Sequence, residues 1–259
     1  MPTITVDAAR IPYRVVGDGP ETVILVHGTG PGSGMWDNLL DAFTDRYTLL
    51  LPDLSGSEAA EDDGAELTID ALAAQVNAVI EHAGRGPVHV VGFSLGAVIA
   101  TAAAARRPDQ VRRLVAASGW INSDDEYLRN MMTVWLSLAG DPAAFGRYAT
   151  LTAFSRGFLN RIGREGVEAA AAFMQPTPGT LRHIALDLDL DITTLLPHVQ
   201  APTLVIGCTQ DATIPVENAR RLHAAIAGSE YAEFDTGHVV LAEQPEAFTR
   251  TVRDFLAAA

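Results

Sequence analysis

Short apolar runs alternate with longer stretches of helical periodicity along most of the chain. Apolar runs bounded by turn residues are typical of strands that are buried on both faces of a parallel sheet. The stretches between them place apolar residues every three to four positions, which predicts helices. The alternation therefore predicts an α/β fold, with a mostly parallel sheet and helices on both of its faces.

The same pattern fixes approximate element positions. The first two predicted strands are joined by a tight turn, so we expect them to pair antiparallel. The predicted strands are Thr3–Val6, Ile11–Val16, Val23–Val26, Tyr47–Leu51, Val88–Val91, Leu114–Ala117, Leu204–Ile206 and Tyr231–Phe234. The predicted helices lie near 36–44, 68–83, 95–107, 216–227 and 245–257.

The alternation stops in one segment, between Ile121 and Leu196. This segment has few β-branched runs, and strand alternation resumes directly after it. We therefore expect a helical cap, residues 121–196, inserted into a core formed by residues 1–120 and 197–259. Its expected helix breaks are Gly140-Asp141-Pro142, Gly157, Gly163 and Pro176–Gly179.

Composition narrows the class of protein. The 259 residues suit one large α/β domain, and no apolar run approaches the length of a membrane span. The N-terminus lacks the basic start and apolar core of a secretion signal, so we expect a cytoplasmic protein. The single cysteine, Cys208, forms no internal disulfide and no cysteine-cluster metal site. We expect neither a metal nor a cofactor.

The charged residues exclude several classes of binding partner and of chemistry. The net charge of −14 argues against nucleic acid and anionic membranes. All 18 basic residues are arginine, which excludes Schiff-base chemistry and P-loop phosphate binding, since both need lysine. An apolar small molecule is the expected partner, and association into a homodimer stays open.

A G-x-S-x-G pattern supplies the strongest chemical signal. Gly92-Phe93-Ser94-Leu95-Gly96 follows a predicted strand and opens an alanine-rich helix. A strand-to-helix turn lifts such a serine above the sheet edge, and the helix N-terminus stabilises developing negative charge. Ser94 is therefore the predicted nucleophile.

A glycine-rich loop, residues 27–34, follows the strand Val23–Val26. It fails the dinucleotide-binding spacing, because Ser33 stands where a third glycine belongs. Such a loop can instead direct N–H groups at an oxyanion. The predicted donors are the Thr29 and Leu95 N–H groups, and His27 is expected to brace the loop rather than act as a base.

The base and its orienting acid are expected after the last two strands. His238 follows the final strand and is the predicted base; apart from His27, the other histidines fall within helices or strands or just before a strand. Asp211 follows the preceding strand and completes the chain order Ser94, Asp211, His238. Three other acids remain alternatives: Asp124, Asp125 and Asp235.

Together these residues resemble the α/β-hydrolase superfamily. The supporting motifs are His27-Gly28-x-Gly30, Pro52-Asp53 with Gly56-Ser57, the Ser94 turn, Asp211-x-x-x-Pro215 and Gly237-His238. The resemblance covers nearly the whole chain apart from the cap. It implies a serine hydrolase that works through an acyl-enzyme, although one fold hosts many chemistries.

Within that superfamily, the segment His27–Gly32 followed by Trp36-x-Asn38 resembles the loop of meta-cleavage-product hydrolases, which cut carbon–carbon bonds. Those enzymes commonly carry asparagine where this chain has Phe93, and tryptophan where it has Val239. These two departures favour a relative with another substrate, such as an ester, thioester or lactone.

Carbon–carbon cleavage is one alternative function, and binding of a small molecule without turnover is another. The predicted substrate-binding residues are Gly30, Asn38, Phe93, Trp135 and Val239. The cap arginines, which could include an anchor for a substrate carboxylate, are Arg129, Arg147, Arg156, Arg161, Arg164 and Arg182.

Overall fold

A computed structural model describes residues 1–30 and 32–258; Pro31 of the glycine-rich loop and the final residue, Ala259, lie outside the described residues. The eight predicted strands form one sheet, each within a few residues of its expected position. The strands are β1 (Thr3–Val6), β2 (Ala9–Val16), β3 (Glu21–Val26), β4 (Tyr47–Pro52), β5 (Val88–Phe93), β6 (Val111–Ala117), β7 (Thr203–Cys208) and β8 (Glu230–Phe234).

The sheet order is β1-β2-β4-β3-β5-β6-β7-β8. β1 pairs antiparallel with β2, and β2 antiparallel with β4, while every later pairing is parallel. The antiparallel start and the parallel remainder confirm the predicted fold class. Because β3 and β5 to β8 run the same way, the loops after them meet at one edge of the sheet.

Helices connect the strands and form the cap. They are α1 (Ile69–Ala83), α2 (Leu95–Arg106), α3 (Glu126–Ser137), α4 (Pro142–Ala153), α5 (Arg156–Phe173), α6 (Pro178–Asp187), α7 (Val216–Ala225), α8 (Val240–Glu243) and α9 (Pro245–Ala257). The helix expected near 36–44 is a 3₁₀ helix over Ser33–Ala42. None of the described helices has the length and apolarity to cross a membrane.

Buried side chains on the two faces of the sheet form two apolar clusters. One includes Leu72 and Val76 from α1 and Val98 from α2. The other includes Trp36 from the 3₁₀ helix and Phe248 from α9. Leu95–Ala105 of α2 is buried throughout, because its alanines let the helix lie close against the sheet. This packing fixes the start of α2, where Ser94 lies.

Four helices, α3 to α6, lie between β6 and β7 in the chain, in the segment where the helical cap is expected. Each begins at a side chain that accepts hydrogen bonds from the free N–H groups of its first turn: Asp125, Asp141, Ser155 and Thr177. Gly163 breaks α5 at a φ of 65°. The expected break at Gly157 is wrong, because this glycine lies in the first turn of α5.

Candidate active site

Ser94 occupies a strained turn between β5 and α2. Its φ of 57° and ψ of −128° are unusual for a residue with a side chain. Its N–H donates to the Ala117 carbonyl of β6 at 2.9 Å, which holds the turn against the sheet. Gly92 and Gly96 flank it where backbone approaches closely: a Cβ on Gly92 would meet Gly96, and one on Gly96 would meet Val26 and His27. The sequence G-x-S-x-G is what this turn requires.

The structure brings Ser94, His238 and Asp211 into one hydrogen-bonded chain. With Nδ1 of His238 protonated, that N–H donates to Asp211 Oδ2 at 2.7 Å, and the Ser94 hydroxyl donates to Nε2 at 2.8 Å. This tautomer is the one that lets Nε2 take a proton from the serine. All three residues are buried, at 5 to 8% exposure, so bulk water competes little for these bonds.

Asp211 is itself held in place. Its Oδ1 accepts hydrogen bonds from the N–H groups of Thr213 at 2.8 Å and Ile214 at 2.7 Å. These two bonds occupy one carboxylate oxygen and leave Oδ2 for His238. Local backbone geometry therefore fixes the orientation of the imidazole.

The alternative acids lie elsewhere. Asp125 caps α3 and accepts a hydrogen bond from Asn218 at 3.0 Å. Asp124 is exposed. Asp235 is exposed too, and it accepts hydrogen bonds from the side chains of Thr209 and Gln210. Of the four candidate acids, Asp211 is the one whose carboxylate contacts His238.

Two buried imidazoles brace the glycine-rich loop. Nδ1–H of His27 donates to the Gly28 carbonyl at 2.8 Å, and its Nε2 accepts from Leu54 N–H at 3.0 Å. Nε2–H of His183 donates to the Ser55 carbonyl at 2.9 Å, and its Nδ1 accepts from Gly30 N–H. Burial lowers the pKa of His27 and lowers that of His183 to about 3. Each ring accepts an N–H at one nitrogen, as a neutral imidazole does.

The two predicted oxyanion donors belong to different segments, the start of α2 and the glycine-rich loop. Leu95 is the first residue of α2, and Thr29 follows Gly28 in the braced loop. Within the described part of the chain, neither N–H donates a hydrogen bond. The Thr29 side chain is occupied differently, since its hydroxyl donates to Asp187 Oδ2 at 2.8 Å.

A cavity of about 530 Å³ lies above Ser94 and His238. Among the predicted pocket residues, Asn38, Phe93, Trp135 and Val239 line it. Gly30 does not line it: its N–H contacts His183, and it packs under Met174. Most of the wall is apolar and comes from the cap, the 3₁₀ helix Ser33–Ala42 and α8. It includes Met35, Met132, Ala149, Ala153, Phe154, Phe173, Met174 and Leu241.

Asn38 and Phe93 also support their surroundings. The Asn38 amide donates to the Leu241 carbonyl at 3.2 Å, and the Phe93 ring lies 4.9 Å from the His238 ring. No arginine is among the described residues that line the cavity. Of the cap arginines proposed as anchors, Arg147 pairs with Glu168 and Arg182 with Asp62.

Acidic residues near the site include two buried or half-buried ones that were not predicted and that contact distant parts of the chain. Asp187, at the end of α6, lines the cavity, and Glu243 links the cap to the loop that carries His238. Neither belongs to a motif, and both depend on contacts between distant parts of the chain. Only the amphipathic face of α6 hinted that Asp187 points inward.

Sheet order, the strained serine turn and the position of the cavity define an α/β hydrolase. The family model for the alpha/beta hydrolase fold matches residues 21–245. The chain therefore belongs to the α/β-hydrolase family and is a hydrolase of that fold.

Individual relatives agree with this class. The chain is 37% identical to a pyrrolizixenacetamide deacetylase of Xenorhabdus hominickii, over 99% of this chain and 98% of that protein. It is 26% identical to a 2-hydroxy-6-oxononadienedioate/2-hydroxy-6-oxononatrienedioate hydrolase of Pseudomonas putida, over 95% and 91%. An enol-lactonase structure from Burkholderia xenovorans superposes with a TM-score of 0.88 at 22% identity, over 99% of this chain and all of that one.

Proposed function

We propose that the protein is a serine hydrolase that cleaves an uncharged, largely apolar ester, thioester or lactone through an acyl-enzyme. The observation that carries the proposal is the hydrogen-bonded chain from Ser94 through His238 to Asp211, with distances of 2.8 and 2.7 Å. A serine hydroxyl becomes a useful nucleophile only when an oriented base can take its proton. In this proposal His238 is that base, and its hydrogen bond to Asp211 fixes its tautomer.

The mechanism follows from the geometry. Ser94 Oγ attacks the acyl carbon while its proton passes to Nε2 of His238. The Thr29 and Leu95 N–H groups stabilise the resulting oxyanion. The imidazolium then protonates the departing alkoxide or thiolate, which leaves an acyl group on Ser94. Water attacks this ester with His238 as the base, and collapse of the second oxyanion releases the acid and the serine.

The cavity supports an uncharged substrate. Its wall is mainly apolar, and a substrate carboxylate would find no arginine on it among the described residues. Burying an unpaired carboxylate is costly, so a ketoacid dienoate should bind poorly. We therefore favour acyl hydrolysis over carbon–carbon cleavage. Amide hydrolysis is a second candidate, because the 37% identical relative is a deacetylase of an acetamide.

We expect the substrate to be a small molecule rather than nucleic acid or membrane, since the net charge is −14. We also expect a cytoplasmic location, and association into a homodimer stays open.

A fluorophosphonate probe, followed by intact mass and peptide mapping, tests the nucleophile. Labelling at Ser94 supports an enzyme, and a protein that binds ligands without turnover should remain unlabelled.

Substrate class needs a direct comparison. Values of kcat/KM should be measured for p-nitrophenyl esters, acyl thioesters, a lactone panel, p-nitroacetanilide and a 2-hydroxy-6-oxo-dienoate. We expect turnover of an activated ester or a lactone and little cleavage of the dienoate. A tenfold preference for the dienoate, about 1.4 kcal/mol in transition-state stabilisation, would overturn the acyl-hydrolase proposal.

A further inference from the structure

Asp187 is a buried carboxyl group in the wall of a mainly apolar cavity. It is the last residue of α6, is 1% exposed, and lines the cavity together with Ser94 and His238. Its Oδ2 accepts the Thr29 hydroxyl at 2.8 Å. Its Oδ1 is buried and has no hydrogen-bond partner among the described residues. The proposed catalytic steps do not use this oxygen.

Among the described residues, no basic side chain acts on the ionisation of the Asp187 carboxyl. The effects on its ionisation are burial, which raises the pKa of Asp187 to about 7, and the Thr29 hydrogen bond, which lowers it. An unsatisfied buried acceptor typically costs about 1–3 kcal/mol. Such atoms in a largely apolar ligand cavity are the usual polar anchors for a substrate.

Most other polar side chains on the wall are already engaged. Thr150 and Thr152 donate to carbonyls of their own helix, and Asn38 donates to Leu241. Besides Asp187, the lining residues with buried unpartnered polar atoms in the described structure are Trp135, at Nε1, and Thr213, at Oγ1. Trp135 Nε1–H can only donate, and Asp187 Oδ1 is a free acceptor once the carboxyl is ionised. In hydrogen-bonding character the two atoms are complementary to the C=O and N–H of a secondary amide.

We propose that Asp187 is a specificity-determining residue whose free Oδ1 accepts a hydrogen bond from a neutral, amide-type N–H of the substrate. This inference rests on the proposed acyl-hydrolase function and narrows its substrate class. A site built to pair with a substrate N–H discriminates against an analogue that lacks it, because the buried acceptor is then left unpaired. A neutral donor suits an apolar cavity better than an ammonium group, which would lose its hydration.

The test uses ester pairs in which one N–H is replaced by CH₂. p-Nitrophenyl esters of N-acetylglycine, N-acetyl-β-alanine and N-acetyl-4-aminobutanoate are compared with the 4-oxopentanoate, 5-oxohexanoate and 6-oxoheptanoate esters. Acetates of N-acetylethanolamine and 5-hydroxy-2-pentanone place the same change in the alcohol part. At pH 8, where the Asp187 carboxyl is ionised, we expect at least one pair to favour the N–H member at least tenfold in kcat/KM.

Variants assign that preference to Asp187. Asp187→Leu keeps the approximate shape and should erase the preference. Asp187→Asn should erase or invert it, because an amide oxygen that accepts from Thr29 turns its NH₂ donor toward the cavity. Thr249→Val, which removes another buried unpartnered hydroxyl but outside the cavity wall, should leave the preference unchanged. Thermal melting checks that each variant is folded.

Three outcomes would overturn the proposal. Equal ratios in wild type and Asp187→Leu for every pair would show that Oδ1 recognises no N–H, while ester turnover would leave the proposed function intact. Preference for p-nitrophenyl 6-aminohexanoate over the heptanoate would show that the carboxylate binds a cation instead. If wild type cleaves no ester, the Kd values of the same pairs are measured for Ser94→Ala and Ser94→Ala/Asp187→Leu. Equal selectivity for the N–H member in both proteins rejects the proposed role of Asp187.

Discussion

Glu243 holds Ser155 through two hydrogen bonds: its Oε1 accepts from the Ser155 N–H at 2.7 Å, and its Oε2 accepts from the Ser155 hydroxyl at 2.6 Å. The same Oε1 also accepts from Gly237 N–H at 3.1 Å. Ser155 begins α5 of the cap, and Gly237 immediately precedes His238. One carboxylate therefore connects the cap to the loop that carries the proposed base.

We expect Glu243→Ala to loosen this loop, lowering kcat about tenfold or more, since small displacements of catalytic groups are costly. Loss of hydrogen bonds to a charged acceptor should reduce the free energy of unfolding by about 2–4 kcal/mol. Glu243→Gln retains an oxygen for the two N–H groups and should rescue most activity. Exposed Glu246→Ala is the matched control. If Glu243→Ala changes stability while kcat and its pH profile stay unchanged, Glu243 has no positioning role.

Ser94 combines a proposed catalytic role with backbone strain. Ser94→Ala and Ser94→Gly should both lower kcat by about 10⁶, since both lack the hydroxyl. Ser94→Gly should unfold with a free energy about 1 kcal/mol higher than Ser94→Ala, because glycine adopts a positive φ without strain. Denaturant titrations measure that difference. Equal stabilities would mean that the turn stores little strain, and retained probe labelling in either variant would exclude Ser94 as the nucleophile.

Asp211→Asn should lower kcat about 10⁴-fold while leaving the fold intact. The asparagine oxygen can still accept from Thr213 and Ile214, which turns its NH₂ toward His238. Nδ1 must then accept a hydrogen bond from this NH₂ and carry no hydrogen, so the ring hydrogen lies on Nε2 and prevents it from acting as a base. Asp235→Asn and Asp125→Asn are the controls and should retain activity within a few-fold. Comparable damage in either control would contradict the assignment of the acid.

The Asp187 carboxyl should make stability depend on pH. Its pKa is about 7 in the folded protein against an ordinary value of 3.8, so between pH 4 and 7 the unfolded chain ionises this group while the folded protein does not. The free energy of unfolding of wild type should therefore fall relative to Asp187→Asn as the pH rises through that window. A difference of about three in pKa corresponds to at most about 4 kcal/mol. Urea titrations at pH 4, 5.5, 7 and 8 measure it, and parallel curves would show that the group ionises normally.

The core was predictable from the sequence because its signals are local. The apolar run before Ser94 and the alanines after it specify a strand, a turn and a packed helix within about 20 residues. Parallel strands then bring the loops that carry Asp211 and His238 to the same edge, so chain order and strand position together predicted the neighbours of Ser94. The structure puts Ser94 and Asp211 each within hydrogen-bond distance of His238.

The cap and the cavity were less predictable, because an apolar helix face does not specify the surface against which it packs. The pattern located the insertion, yet Gly157 was misjudged as a break, since a glycine in a first helical turn is tolerated. The same apolar periodicity fits Phe145, which is fully buried, and Phe154, which lines the cavity. Distinguishing the two requires the packing of the cap onto the core.

By itself the sequence determined the order of strands and helices, the strained serine turn and the loops for base and acid, because each follows from contacts among near neighbours in the chain. Only the tertiary structure decided that Asp187 lies beside Thr29, 158 residues away, and that Glu243 binds Ser155, 88 residues away. Both carboxylates take their roles from partners that no periodicity or motif specifies. Burial and unsatisfied hydrogen bonding, which give Asp187 its pKa and its free acceptor, exist only once the cap has folded over the sheet.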